Sequence, residues 1–106
     1  MTNYFTWGDN CEGWILSESK QLAVIKERMP PGTKEVSHYH EYSEQTFYIL
    51  SGVATFTVDG QLIEAFEGVS INIFPKSIHH IANEQQRDLI FLVISSPPTD
   101  NDRIEI

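Results

Sequence analysis

Turn-forming residues recur along this chain at intervals too short for helices. PPG at 30–32, SG at 51–52, DG at 59–60, Gly68, Pro75 and PP at 97–98 punctuate it. Between them lie runs of about 5–9 residues rich in Val, Ile, Phe, Tyr and Thr. Such runs suit the pleated surface of a strand and sustain no helical period. The spacing predicts strands near Trp14–Leu16, Leu22–Met29, Val36–His40, Gln45–Leu50 and Val53–Val58. It predicts further strands near Gln61–Phe66, Ser70–Phe74, His79–Asn83 and Leu89–Ser95. TFTVDGQLIEA is the clearest hairpin, since Asp59-Gly60 can supply the two positive-φ positions of a tight two-residue turn. Many short strands joined by tight turns suit a sandwich or a closed barrel.

DLIFLVIS is apolar on both faces, so one face fills the interior and the other meets a second layer or a second subunit. At 106 residues the chain suits one domain with one core. Residues 1–13 read as an N-terminal arm. Residues 97–106 read as a loose polar tail whose final IEI can add an edge strand.

Net charge is −8, and the seven Lys and Arg residues form no run. That field repels phosphate backbones and anionic lipid, so neither nucleic acid nor membrane is an expected partner. Cys11 is the single cysteine, which excludes an intrachain disulfide and a cysteine-based zinc site. The start carries no basic region followed by an apolar run, and LIFLVI is far too short to span a bilayer. A cytoplasmic location is expected.

All four histidines fall in two places, His38 with His40 and His79 with His80. Residues two apart on a strand share a face, so His38 and His40 point together, as a pincer on one ion would. Taken alone, such a pair is as compatible with two incidental surface histidines. Alternation sends His80 to the face opposite His79.

The flanking residues carry the distinction. GTKEVSHYHEYSEQTFYILSG follows G-x5-H-x-H-x4-E-x6-G from Gly32 to Gly52, with Gln45 in the place of the glutamate. GVSINIFPKSIHHIAN follows G-x5-P-x-G-x2-H-x3-N from Gly68 to Asn83, with Phe74 for the proline and Lys76 for the glycine. These motifs resemble those of the cupin superfamily, specifically its small single-domain members. The resemblance implies an all-β double-stranded β-helix, a jelly-roll barrel, spanning residues 1–106 as a single domain. It further implies one divalent transition metal ion (Fe, Mn, Ni, Cu or Zn) held by His38, His40, Gln45 and His79. In small cupins the N-terminal strand often packs on a partner subunit, so a homodimer with Trp7 and Trp14 at its contact is expected.

Counting back from Gly52 puts Gln45, Phe47 and Ile49 on the inward face, with Glu44, Thr46 and Tyr48 outward. A bulge at Ser43–Glu44 would reverse this. An amide in place of a carboxylate leaves a divalent ion its full charge, favouring an anionic, chelating small-molecule ligand while weakening the grip on the metal. Gln45 can ligate directly or hydrogen-bond a bound water or ligand. Phe47, Ile49, Phe56, Phe74 and Met29 are candidates to line the pocket, or plain core. Arg28 or Lys26 can meet an anion at the mouth. No catalytic residue is assigned, and Glu44, Glu27 and water at the metal are the available bases. The expected function is a mononuclear-metal enzyme acting on a small polar or anionic metabolite, of dioxygenase, isomerase or lyase type. The alternatives are a non-catalytic metal or small-molecule module or sensor, and a barrel with vestigial histidines.

Overall fold

The computed structural model describes residues 3–106, and among these there is no helix. Eleven strands follow one another: β1 (Asn3–Trp7), β2 (Cys11–Glu18), β3 (Ala23–Met29), β4 (His38–His40), β5 (Glu44–Ser51) and β6 (Ala54–Val58) come first. Then come β7 (Gln61–Ala65), β8 (Ser70–Ile73), β9 (His79–Ala82), β10 (Leu89–Ser96) and β11 (Arg103–Glu105). One sheet has the order β1-β2-β3-β10-β5-β8, and the other β11-β4-β9-β6-β7. All named pairings are antiparallel. The fold is an all-β jelly-roll barrel of two sheets.

Period-two patterning decides which faces meet. In β5 Gln45, Phe47 and Ile49 are buried while Glu44, Tyr48 and Leu50 are exposed. In β10 Phe91, Val93 and Ser95 turn inward, and the outward residues Ile90, Leu92 and Ile94 are half-buried. Phe47 packs edge-on against Phe56 at 5.2 Å between centroids, so an aromatic from each sheet meets in the middle. Met29, Ile49, Ile81, Leu89 and Phe91 join them in the buried apolar core. Each such burial contributes about 1.5–3 kcal/mol.

Two glycines hold close approaches. A Cβ on Gly52 would lie 2.6 Å from the Asp88 carbonyl oxygen, and its φ of 90° already favours glycine. At Gly13 a Cβ would enter the ring of Phe5, so β1 can fold flat on β2 only because residue 13 has no side chain. Asp59 and Gly60 have φ of 48° and 84°, as a tight hairpin between β6 and β7 requires.

The two ends of the chain compare differently with expectation. Residues 3–13, expected as an arm, form β1 and the start of β2 and extend the larger sheet. The final IEI adds an edge strand as expected, since β11 pairs with β4 at the rim of the smaller sheet, while the polar segment before it is anchored by the buried Asp102 carboxylate. That carboxylate accepts hydrogen bonds from the backbone N–H groups of Glu41, Tyr42 and Ser43. A polar TDNDR segment has no apolar signal to announce this docking, because its anchor is a charge capping backbone amides. Asn83 is likewise structural, its amide donating to the carbonyls of Met29 and Arg87, each at 2.8 Å.

Candidate metal centre

The smaller sheet brings three histidines together. His38 and His40 lie on the same face of the short strand β4, and His38 is the cross-strand partner of His79 on β9. Their ring centroids are 4.3 Å apart for His38 and His79, and 5.0 Å for His38 and His40. One ligand-capable nitrogen from each ring lies within 4.8 Å of the other two, and all three side chains are buried. The Nδ1 of His38 donates to the Val36 carbonyl, and that of His79 to the Ser77 carbonyl, each at 2.8 Å. Those bonds select the tautomer and leave Nε2 of both rings as a free lone pair.

Burial keeps the imidazoles uncharged. It pushes His38 down to about 3 and His40 down to about 4, and lowers His79 as well. Neutral nitrogens are what a metal ion requires. His79 Nε2 and Gln45 Oε1 are buried without a hydrogen-bond partner. Unpaired buried acceptors are costly in a finished fold, and a cation held by the histidine cluster would satisfy that of His79. The donor set therefore fits a divalent transition metal.

Gln45 enters from the opposite sheet, 7% exposed, and its Nε2 donates to Ser95 Oγ at 3.1 Å. Ser95 is its cross-strand partner on β10, so no bulge at Ser43–Glu44 displaces the amide. With His38, His40, Phe47, Phe91 and Val93 it lines a chamber of about 100 Å³. Glu44 stands exposed on the other face of β5, and His80, on the smaller sheet and out of step with His79, hydrogen-bonds Ser37 at 2.9 Å.

Other candidates from the sequence lie elsewhere. Phe74 is 60% exposed, because β8 ends at Ile73 and the chain turns out after it. Ile49, Phe56 and Met29 belong to the dry core rather than to the chamber wall. Lys26 and Arg28 point outward, Lys26 over the Trp14 ring and Arg28 to Glu12 and Asp88. Alternation from the buried Met29 places Ile25 and Glu27, not these cations, toward the chamber.

Three lining residues had weak signals or none. Ser95 follows from the alternation of β10. Glu35 has no strand pattern to orient it, and Arg103 lies far off in sequence. A second cavity of about 450 Å³ adjoins the chamber and shares Ile25, Glu27, Glu35, Thr99 and Arg103 with it. Trp7, expected at a subunit contact, lines this outer cavity together with Phe5.

Comparison with known proteins agrees with this architecture. The family model described as a cupin domain matches residues 25–95. An uncharacterized protein of Methanocaldococcus jannaschii is 37% identical over 78 residues, covering 74% of this chain and 62% of that protein. Quercetin 2,3-dioxygenase of Bacillus subtilis is 37% identical over 59 residues, covering 56% of this chain and 18% of the enzyme. The chain thus spans less than two thirds of the length of these curated relatives. The solved structure of KdgF from Halomonas sp. superimposes with a TM-score of 0.85 at 16% identity, over 93% of this chain and 89% of that one. Two antiparallel sheets, a family match over most of the chain and a buried histidine cluster between the sheets together place this chain in the cupin family.

Proposed function

We propose that this protein holds one divalent transition metal ion through His38, His40 and His79, with the Gln45 amide facing it, and acts as an enzyme on a small polar or anionic metabolite. The observation that carries the reading is the convergence of three buried imidazole nitrogens within 4.8 Å. The unpaired Gln45 oxygen facing the same chamber supports it. When bound, such an ion supplies Lewis-acid polarisation of a chelated oxygen or, if iron or copper, electron exchange.

The chain's own residues do the rest. The carbonyls of Val36 and Ser77 hold two rings forward, and Ser95 holds the amide. Phe47, Phe91 and Val93 form the apolar part of the chamber wall and keep it small. No carboxylate belongs to the donor set, so the ligands themselves would leave a bound ion its full charge. The quercetin 2,3-dioxygenase relative supports oxygenation as the first reaction type to assay.

Metal analysis of freshly purified protein tests the reading. Stoichiometric Fe, Mn, Ni, Cu or Zn that disappears in a His38→Ala, His40→Ala variant supports it, and metal-free protein that refuses reconstitution overturns it. Oxygen uptake across a panel of small organic acids and phenols then tests turnover. A metal-loaded protein that turns over none of them marks a binding module.

A further inference from the structure

β1 is the last strand of the larger sheet and β11 that of the smaller, and both line the outer cavity of about 450 Å³. Phe5 and Trp7 face it from β1, and Arg103 and Glu105 from β11. Glu27 and Glu35 stand where it joins the histidine chamber. Phe5, Gly13, Glu27 and Phe91 are successive cross-strand neighbours on β1, β2, β3 and β10. The Phe5 ring lies over Gly13, so Glu27 sits in a row between two phenyl side chains. It takes part in no ion pair among the described residues. A carboxyl in apolar company is costly unless something meets it.

The rest of the wall mixes both signs. Arg103 lies 3.8 Å from Glu35 and 3.4 Å from Glu105, so these charges already balance one another. Lys34 adds a second cation, and the buried Trp7 Nε1 is a donor without a partner.

We propose that this cavity is a binding subsite for the ring of a neutral polyol, its hydroxyls shared among Glu27, Glu35 and Arg103 and one C–H face lying on Phe5 and Trp7. An anion there meets Glu27, Glu35 and Glu105, and a cation meets Arg103 and Lys34. A wholly apolar body strips water from all five without return. A hydroxyl both donates and accepts, so it suits carboxyl, guanidinium and ammonium alike. It donates to a carboxylate and accepts from a carboxylic acid, so the match holds whichever form the two glutamates take. The aromatic pair supplies the apolar floor that a ring's C–H face needs. The volume is of the size that small organic ligands occupy. The subsite follows from this wall alone and stands with or without an ion. It goes beyond the metal reading by naming the body of the ligand.

Trp7 reports on its own cavity once Trp14→Phe makes it the one tryptophan of the chain. Its emission is followed in that variant against myo-inositol, methyl glucoside, cyclohexanecarboxylate and cyclohexylamine, on zinc-loaded and zinc-free protein side by side. The expected result is a saturable change with at least one of the two polyols, at about millimolar affinity for so small a ring. The two charged rings bind about tenfold more weakly or not at all. In the same background Glu27→Leu weakens the polyol about tenfold, and Glu27→Gln, which still donates and accepts, stays within about threefold. Arg103→Leu, at an exposed position of β11, also weakens it about tenfold and carries the test if Glu27→Leu does not fold. Silence with both polyols overturns the proposal, as does a charged ring that binds more tightly than either. Folded leucine variants that bind as the parent does overturn it too. Polyol binding by protein that takes up no zinc supports this subsite and overturns the metal reading.

Discussion

Asp102→Ala tests whether the C-terminal segment builds the metal site or merely covers it. The Asp102 carboxylate is 7% exposed and accepts from three consecutive backbone N–H groups in the loop joining β4 to β5. That loop runs from His40 to Glu44, beside Gln45. Removing the acceptor frees the donors of Tyr42 and Ser43, while that of Glu41 keeps the backbone carbonyl of residue 102 at 3.4 Å. Tyr42 is exposed, and its N–H can turn to water at about 1 kcal/mol. Ser43 is 1% exposed, and its N–H is stranded at about 2 kcal/mol. The expected loss is therefore about 3 kcal/mol, a large part of the roughly 5–15 kcal/mol that holds a domain folded. Asp102→Asn keeps one acceptor oxygen for Glu41 and Tyr42 and recovers about half of that loss. Urea melts of metal-free protein, followed by tryptophan fluorescence, read this as a midpoint lowered by about 2–3 M for alanine. A midpoint for alanine within about 0.5 M of the native chain, or asparagine no better than alanine, refutes the reasoning.

Lys76 stands at φ 72° where the family motif carries glycine, and its N–H donates to the His40 carbonyl at 2.7 Å. Lys76→Gly relieves the left-handed strain and gains about 0.5–1 kcal/mol net of glycine's entropy, visible as a raised melting temperature. Gln45→Glu is expected to tighten zinc binding at least about tenfold in chelator competition, since a carboxylate is the better donor, and unchanged affinity counts against an inward residue 45. The stability of metal-free protein is expected to peak near about pH 6 to 6.5. His38 and His40 titrate far below their unfolded value, so their contribution is lost as pH falls below about 6.5 toward 4 and 3. Glu27 and Glu35 titrate above theirs, so their contribution is lost as pH rises from about 4.5 through 7 and 8. Denaturant midpoints across pH check this, and a steady rise to pH 9 contradicts it.

The two histidine motifs were legible because a strand repeats every two residues. Once Gly52 set the phase, the inward places of Gln45, Phe47 and Ile49 followed. The same rule on β3 points to Glu27 and away from Lys26 and Arg28, although the charges of the latter suggested a role at the mouth. Phe74 misled because it sits where the motif expects proline, one residue beyond the end of β8. Asp102, Arg103 and Glu35 were out of reach for another reason. Their importance lies in contacts across about sixty residues of chain (Asp102 to Glu41, Arg103 to Glu35), and no local pattern records such a distance.

The three imidazoles all come from one sheet, while the amide of Gln45 and the hydroxyl beneath it come from the other. The firm part of the grip, on β4 and β9, stiffens the sheet that supplies it. A glutamate at position 45 would stitch the two sheets together through the ion, and loading would then be felt as a cross-link. With glutamine there, the tie to the larger sheet rests on a neutral amide oxygen, a weaker stitch than a carboxylate makes. Hydrogen exchange in β5 and β10 should therefore respond less to metal in this protein than once residue 45 carries a charge.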